Sequence, residues 1–265
     1  MQISSIFSLG LALYVLFQGV ISSTDNPMRF IDPISLFIVI GGTLAATSIS
    51  FKITNILNLF ILAIRRFLTG RSVNNQKLVK KLLSLFSKYL KDQSAFKIDI
   101  RQIKDPFLKD SLELMLDSTI SQEELMDLLE IKAKREYELH EEDAQKFRTI
   151  AKFPPAFGMM GTTIGMIAVF EKLGTANAIQ TLGPSMSLCM ITTLYGVALA
   201  NLFIIPISEN LMATALDNKL KNDIIIDTIR MMKSKSNPVI VAEKMNTFLQ
   251  DRNKINWKEV VGQLT

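Results

Sequence analysis

Phe153-Pro154-Pro155-Ala156-Phe157-Gly158-Met159-Met160-Gly161-Thr162-Thr163-Ile164-Gly165-Met166-Ile167-Ala168-Val169-Phe170 runs for eighteen residues without an Asp, Glu, Lys, Arg or His. At 1.5 Å of rise per residue this stretch reaches about 27 Å as a helix, close to a hydrocarbon core of about 30 Å. Met1 to Thr24, Pro33 to Phe51 and Leu173 to Ser208 are equally free of charge. The last is too long for one crossing, and Gly183-Pro184 divides it. Spans are therefore predicted at about 3–22, 33–51, 153–170 and 185–208. Inside lipid every backbone polar group must find its partner within its own segment, which makes these runs helices. The predicted fold class is all-α: a polytopic membrane protein with four transmembrane helices and a helical cytoplasmic domain.

The charges orient it. Of the 30 Lys and Arg, nineteen lie between Lys52 and Lys152 and nine follow Glu209; only Arg29 and Lys172 fall in the short connections. The positive-inside rule then puts residues 52–152 and 209–265 in the cytoplasm, with both termini inside. Residues 1–51 carry the first two spans and a short periplasmic loop. Residues 52–152 form a cytoplasmic helical domain, 153–208 the third and fourth spans, and 209–265 C-terminal cytoplasmic helices. Topology and an anionic inner leaflet account for the net charge of +5, so no nucleic-acid partner is expected. The first run has no basic leader and no small-x-small cleavage site, and reads as a span rather than a cleaved signal. With one Cys (Cys189, inside a span) and one His (His140), there is no intrachain disulfide and no ligand set for zinc or a Ser-His-Asp site. The chain has no visible enzyme chemistry, no metal site and no cofactor motif.

The soluble stretches read as amphipathic helices. Ile56 to Ile64, followed by Arg65-Arg66, is too short to cross and suggests an interfacial helix or an extension of the second span. Leu78, Leu82, Leu85, Phe86, Tyr89 and Leu90 recur at helical spacing. Asp105-Pro106 should start a helix, with Leu108, Leu112, Met115 and Leu116 as its buried stripe. Ser121-Gln122-Glu123-Glu124 has the spacing of a capping box and opens a long charged helix towards Lys152, on which His140, set among Glu138, Glu141 and Glu142, reads as a solvated residue in preference to a pH sensor. Leu211, Met212, Ala215, Leu216, Leu220, Ile224 and Ile229 mark another helix, broken at Asn237-Pro238.

No predicted span holds an acid, a base or a histidine, although such groups usually mark an intramembrane ion path. If ions move here, a partner must bring the titrating acid. Gly158, Gly161, Thr162 and Gly165 share one helix face, and Cys189, Thr193, Gly196 and Ala200 another; small residues let membrane helices approach closely. Thr162, Thr192 and Thr193 offer hydroxyl oxygens suited to a hard cation such as Na⁺ or to water carrying H⁺, or else bond their own backbone. Pro154 and Pro155 open the third span and Pro206 closes the fourth, as helix ends or as hinges.

The run Pro155 to Gly165 resembles the third-span motif of the flagellar stator subunits MotA and PomA, relatives of TolQ and ExbB. Leu182-Gly183-Pro184-Ser185-Met186, followed by Ile191-Thr192-Thr193-Leu194-Tyr195-Gly196 and Leu199-Ala200-Asn201, resembles the fourth. Asp32-Pro33 with Gly41-Gly42-Thr43, and Asp105-Pro106-Phe107, match two further landmarks, so the likeness covers nearly the whole chain. It implies a pentameric ring around a MotB- or PomB-like single-span subunit that carries the aspartate, with cytoplasmic domains pushing on the rotor protein FliG in the bacterial inner membrane. The transported ion would be Na⁺ or H⁺, and the threonines lean towards Na⁺. By the same resemblance Thr162, Thr192, Thr193 and Asp32 would lie on the ion pathway, Pro155 and Pro206 would couple motion to torque, and Lys91 and Asp99 would meet the rotor. Two rivals are a TolQ- or ExbB-like energiser of an envelope-spanning protein and a membrane scaffold that conducts nothing.

Overall fold

The computed structural model describes residues 2–52, 61, 74–91, 93–117, 119–173, 178–249 and 251–256, and the expected helix over Ile56 to Ile64 lies outside them. Among the described residues every regular element is helical. They group into two compact units, one of residues 1–71 and 141–212, the other of 72–140 and 213–265. Three stretches are long and apolar enough to cross a membrane (Pro27–Ser50, Gln122–Leu173 and Leu182–Lys233), and Phe7–Ser23 is a shorter apolar helix.

In the first unit, α1 (Gln2–Ser23) presents Phe7, Leu11, Tyr14 and Phe17 outward, as an apolar helix does in lipid. A 3₁₀ turn, Pro27–Phe30, leads to α2 (Pro33–Leu36), where Asp32 caps the helix by accepting the N–H of Ser35 at 2.7 Å. The span continues through a π-helical segment, Phe37–Gly41, into α3 (Gly42–Ser50).

Two helices pass from one unit to the other. The first is α7 (Gln122–Ile150), separated from α8 (Phe153–Leu173) only by the turn at Ala151 and Lys152. Pro154 and Pro155 sit in the first turn of α8, where their missing N–H groups have no helical partner to lose. The second runs from α9 (Ala178–Ala198) through a π-helical segment, Leu199–Ile204, into α10 (Ile205–Lys233).

This last helix corrects two expectations. Gly183-Pro184 divides nothing: the helix starts at Ala178 and carries Pro184 inside it. A single proline early in a helix removes one hydrogen bond, and membrane helices tolerate that loss with a local bend. Pro206, read as a helix end or a hinge, does not end a helix, because helical backbone continues to Lys233. Its ring would collide with the carbonyl four residues back in an ordinary α-turn, and the wider π segment directly before it supplies the room. A small core of Ala144, Phe147, Ile150, Ala151, Ile204 and Leu211 surrounds this point, where the Ser208 hydroxyl donates to the Ala144 carbonyl at 2.9 Å.

The second unit is a helical domain of α4 (Asn75–Lys91), α5 (Gln93–Arg101), α6 (Pro106–Leu116), α11 (Pro238–Asn246) and the adjoining parts of α7 and α10. Leu82, Phe86, Phe96, Leu112, Leu125, Leu129, Ile224 and Ile229 are fully buried in one core. The start signals operate locally. Asp105 accepts the N–H of Leu108 at 3.0 Å, and Asn237 accepts that of Val239 at 2.9 Å. Ser121 and Glu124 exchange reciprocal bonds at 3.0 and 3.2 Å, a complete capping box. Asp105 also receives Lys221 at 2.7 Å, so a nearly buried ammonium from α10 fixes the start of α6.

Candidate ion pathway

The first unit is organised around the antiparallel contact of α8 and α9. Its seam consists of Gly158, Gly161 and Gly165 against Gly196, Thr192 and Cys189. A methyl group on Gly161 would stand 2.6 Å from the Thr192 Cβ, and one on Gly165 2.5 Å from the Cys189 Sγ. On Gly196 it would come within 2.4 Å of the Pro154 carbonyl oxygen. Those approaches leave no volume for a side chain, which is why the sequence spends glycine there. Ala200 is buried beyond the end of the seam. Gly42 brings α3 onto the same pair, facing the Phe157 ring so closely that an added Cβ would fall 2.2 Å from it.

The three candidate threonines are not equivalent. Thr192 is fully buried in the seam, and its hydroxyl bonds the carbonyls of Leu188 at 2.9 Å and Cys189 at 3.0 Å within its own helix. Thr162 and Thr193 lie at the edge of the seam, partly exposed, with their hydroxyl oxygens 2.5 Å apart. Thr162 also reaches the Cys189 carbonyl across the seam at 3.0 Å, and the Gly158 carbonyl at 3.2 Å. A polar spot linking α8 to α9 therefore opens on one edge of the pair, with the apolar side chains of Met159, Ile167 and Met190 exposed elsewhere.

Asp32 stands against the same helix. With Arg29, Ile31, Gly183, Pro184, Ser187, Leu188 and Ile191 it lines an open cavity of about 480 Å³. Leu188 and Ile191 form the α9 part of its wall, on a different face of that helix from Thr193, and none of the three threonines lines it. Its carboxylate accepts from the Ser35 N–H at 2.7 Å and the Ser35 hydroxyl at 2.5 Å. Sequence reasoning missed Tyr195, whose hydroxyl donates to the Phe30 carbonyl and accepts the Asp32 N–H at 3.3 Å. A tyrosine inside an uncharged span was the available signal, because a buried phenol seeks a partner.

Pro155 and Pro206 flank the helical irregularities described above, Pro155 in the first turn of α8 and Pro206 just beyond the second π segment. In the other unit Lys91 is exposed at the end of α4, and Asp99 of α5 pairs with Lys88 at 2.5 Å instead. Lys88 lies one helical turn before Lys91. Its neighbours Tyr89 and Phe96 pack edge to face with ring centres 5.3 Å apart.

A family model described as the MotA/TolQ/ExbB proton channel family matches residues 99–223. Motility protein A of Aquifex aeolicus is 30% identical over 229 residues, covering 83% of this chain and 86% of that one. Motility protein A of Borreliella burgdorferi is 29% identical over 260 residues, 97% of this chain and 98% of its own. The solved structure of C. jejuni MotAB superposes with a TM-score of 0.85 at 22% identity, covering 97% of this chain and 99% of that one, and so shares the fold.

Proposed function

This chain belongs to the MotA/TolQ/ExbB proton channel family, and on that premise we propose that it is a flagellar stator subunit of the MotA/PomA type. It couples ion flow across the bacterial inner membrane to torque, and it is not an enzyme. One observation carries the reading: the Thr162–Thr193 hydroxyl pair sits at the edge of the glycine-packed α8–α9 seam. The seam offers oxygens but no titrating acid, so the acid comes from a single-span MotB- or PomB-like partner. The relatives from C. jejuni and Bacillus subtilis were solved as MotAB complexes, which supports that pairing.

Further parts of the reading follow from chemistry and family likeness. Hydroxyl and carbonyl oxygens suit Na⁺, and the threonine pair favours Na⁺ over H⁺ as the driving ion. An ion crossing 100 mV releases about 2.3 kcal/mol, so the gradient supplies the work. The charge distribution supports both termini in the cytoplasm. Five copies form the ring, Pro155 and Pro206 serve as its joints, and exposed Lys91 meets FliG, with the Lys88–Asp99 pair shaping that surface.

The test compares swimming at fixed proton gradient with and without Na⁺, alongside ion flux in vesicles holding this chain alone or with its partner. Motility that needs Na⁺, and flux that needs the partner, are expected. Rapid collapse of a cation gradient by this chain alone would refute the reading.

A further inference from the structure

Tyr195 projects from α9 to the start of the second span, 163 to 165 residues away in sequence. Its hydroxyl serves two backbone groups at once, donating to the Phe30 carbonyl and accepting the Asp32 N–H. Those groups bracket Ile31, in the extended stretch (Ile31 φ −96°, Asp32 φ −114°) that joins the 3₁₀ turn to α2. The stretch is tied along the chain by the Ile31 N–H on the Met28 carbonyl at 3.0 Å and the Leu36 N–H on the Asp32 carbonyl at 3.1 Å, and the phenol adds its tie to α9. The Asp32 carboxylate is meanwhile fixed at its far end by the Ser35 N–H and hydroxyl. A clamp at the backbone and a clamp at the carboxylate together leave Asp32 one orientation along the cavity wall.

We propose that Tyr195 is a positioning residue for ion entry: it holds the Asp32 carboxylate over the cavity through the backbone of residues 30–32. The inference rests on the reading that Asp32 lies on the ion pathway. Arg29 lines the same cavity, so the local potential is a balance between one cation and one anion. Letting the carboxylate drift leaves the guanidinium dominant and disfavours an arriving cation. The step that suffers is capture of the ion at low concentration, whereas the maximal speed, set further along the path, is spared.

Tyr195→Phe removes one oxygen and keeps the ring. In the assembled motor, swimming speed is titrated first with NaCl at fixed pH and then with pH at fixed NaCl. The half-saturating concentration of the driving ion should rise about fivefold, with maximal speed within about twofold, since only part of the two lost hydrogen bonds is felt at the carboxylate. Asp32→Asn should produce a shift of its own, and adding Tyr195→Phe to it should change nothing more. Equal shifts on both backgrounds, an unchanged titration for Tyr195→Phe, or loss of the assembled complex would each overturn the positioning role. If Asp32→Asn itself leaves the titration unchanged, the Asp32 reading fails and takes this inference with it. A shift for Asp32→Asn beside an inert Tyr195→Phe sinks the inference alone.

Discussion

Replacing Gly165 by Ala puts a methyl carbon 2.5 Å from the Cys189 sulfur, about 1 Å inside an ordinary contact. The sulfur cannot simply swing away. It is buried, and it lies 3.4 Å from the Thr162 carbonyl and 3.3 Å from the Ser185 carbonyl, while few other rotamers are open to it in a helix. Overpacking of this kind costs about 1–3 kcal/mol. Truncating the partner should relieve most of it: Cys189→Ala alone loses about 1 kcal/mol of packing, and the double variant should recover part of the loss, with the Ser185 carbonyl oxygen at 3.2 Å and the Cys189 nitrogen at 3.3 Å still close. Gly196→Ala makes the contrast, because the obstacle there is the Pro154 carbonyl oxygen at 2.4 Å, backbone that no side-chain change removes. Gly183→Ala has nothing within 4 Å and serves as the control, within about 0.5 kcal/mol of the parent. Denaturant titration of the purified complex in mixed micelles reads all five variants against the parent. If Gly165→Ala is as stable as Gly183→Ala, or if Cys189→Ala fails to rescue it, the close-packed seam is wrong.

Three shorter tests address the second unit. Lys221→Met strands the Asp105 carboxylate at the start of α6 and should cost about 1–3 kcal/mol, whereas Asp105→Asn together with Lys221→Met should recover part of it; the same unfolding titration decides. Hydrogen bonds from the Ser121 side chain and then its backbone hold the Glu124 carboxyl below the ordinary glutamate range. Stability from that bond is present above the unfolded-state value and lost as pH falls through the lowered folded one. Amide exchange over residues 122–126, corrected for its intrinsic rate, should therefore quicken below about pH 4, and Glu124→Gln should flatten the profile. Lys91→Glu should lower motor torque without loss of membrane-assembled complex, while Asp99→Ala should cost at most about 1 kcal/mol of stability, because its pair with Lys88 is partly exposed. Unchanged swimming in Lys91→Glu removes that position from the rotor surface.

Legibility tracked locality. The starts of α6, α7 and α11 could be read because a cap needs only a few consecutive residues, as Asp105-Pro106, Ser121 with Glu124, and Asn237-Pro238 illustrate. The π segments at Phe37–Gly41 and Leu199–Ile204 could not, since hydrogen-bond register is a property of the whole helix and its neighbours. That is also why Pro206 and Pro184 looked like breaks and were not. At the site, the hydroxyl residues were visible, but which of two adjacent threonines faces the seam is a 100° question that only packing answers. Thr192 and Thr193 divide on that point. The Tyr195 bridge spans more than 160 residues and leaves no local trace beyond the phenol itself.

The threonine spot has one more property. Each of its hydroxyl hydrogens already has an oxygen to point at, the carbonyls of Gly158, Leu188 or Cys189 or the neighbouring hydroxyl. What remains turned outward is lone-pair density. Chloride would find no proton to greet it here, whereas a metal ion or hydronium would find several acceptors. On the proposed reading of these threonines as ion-path residues, the hydrogen-bond directions of this helix pair favour cations over anions before any choice among cations is made.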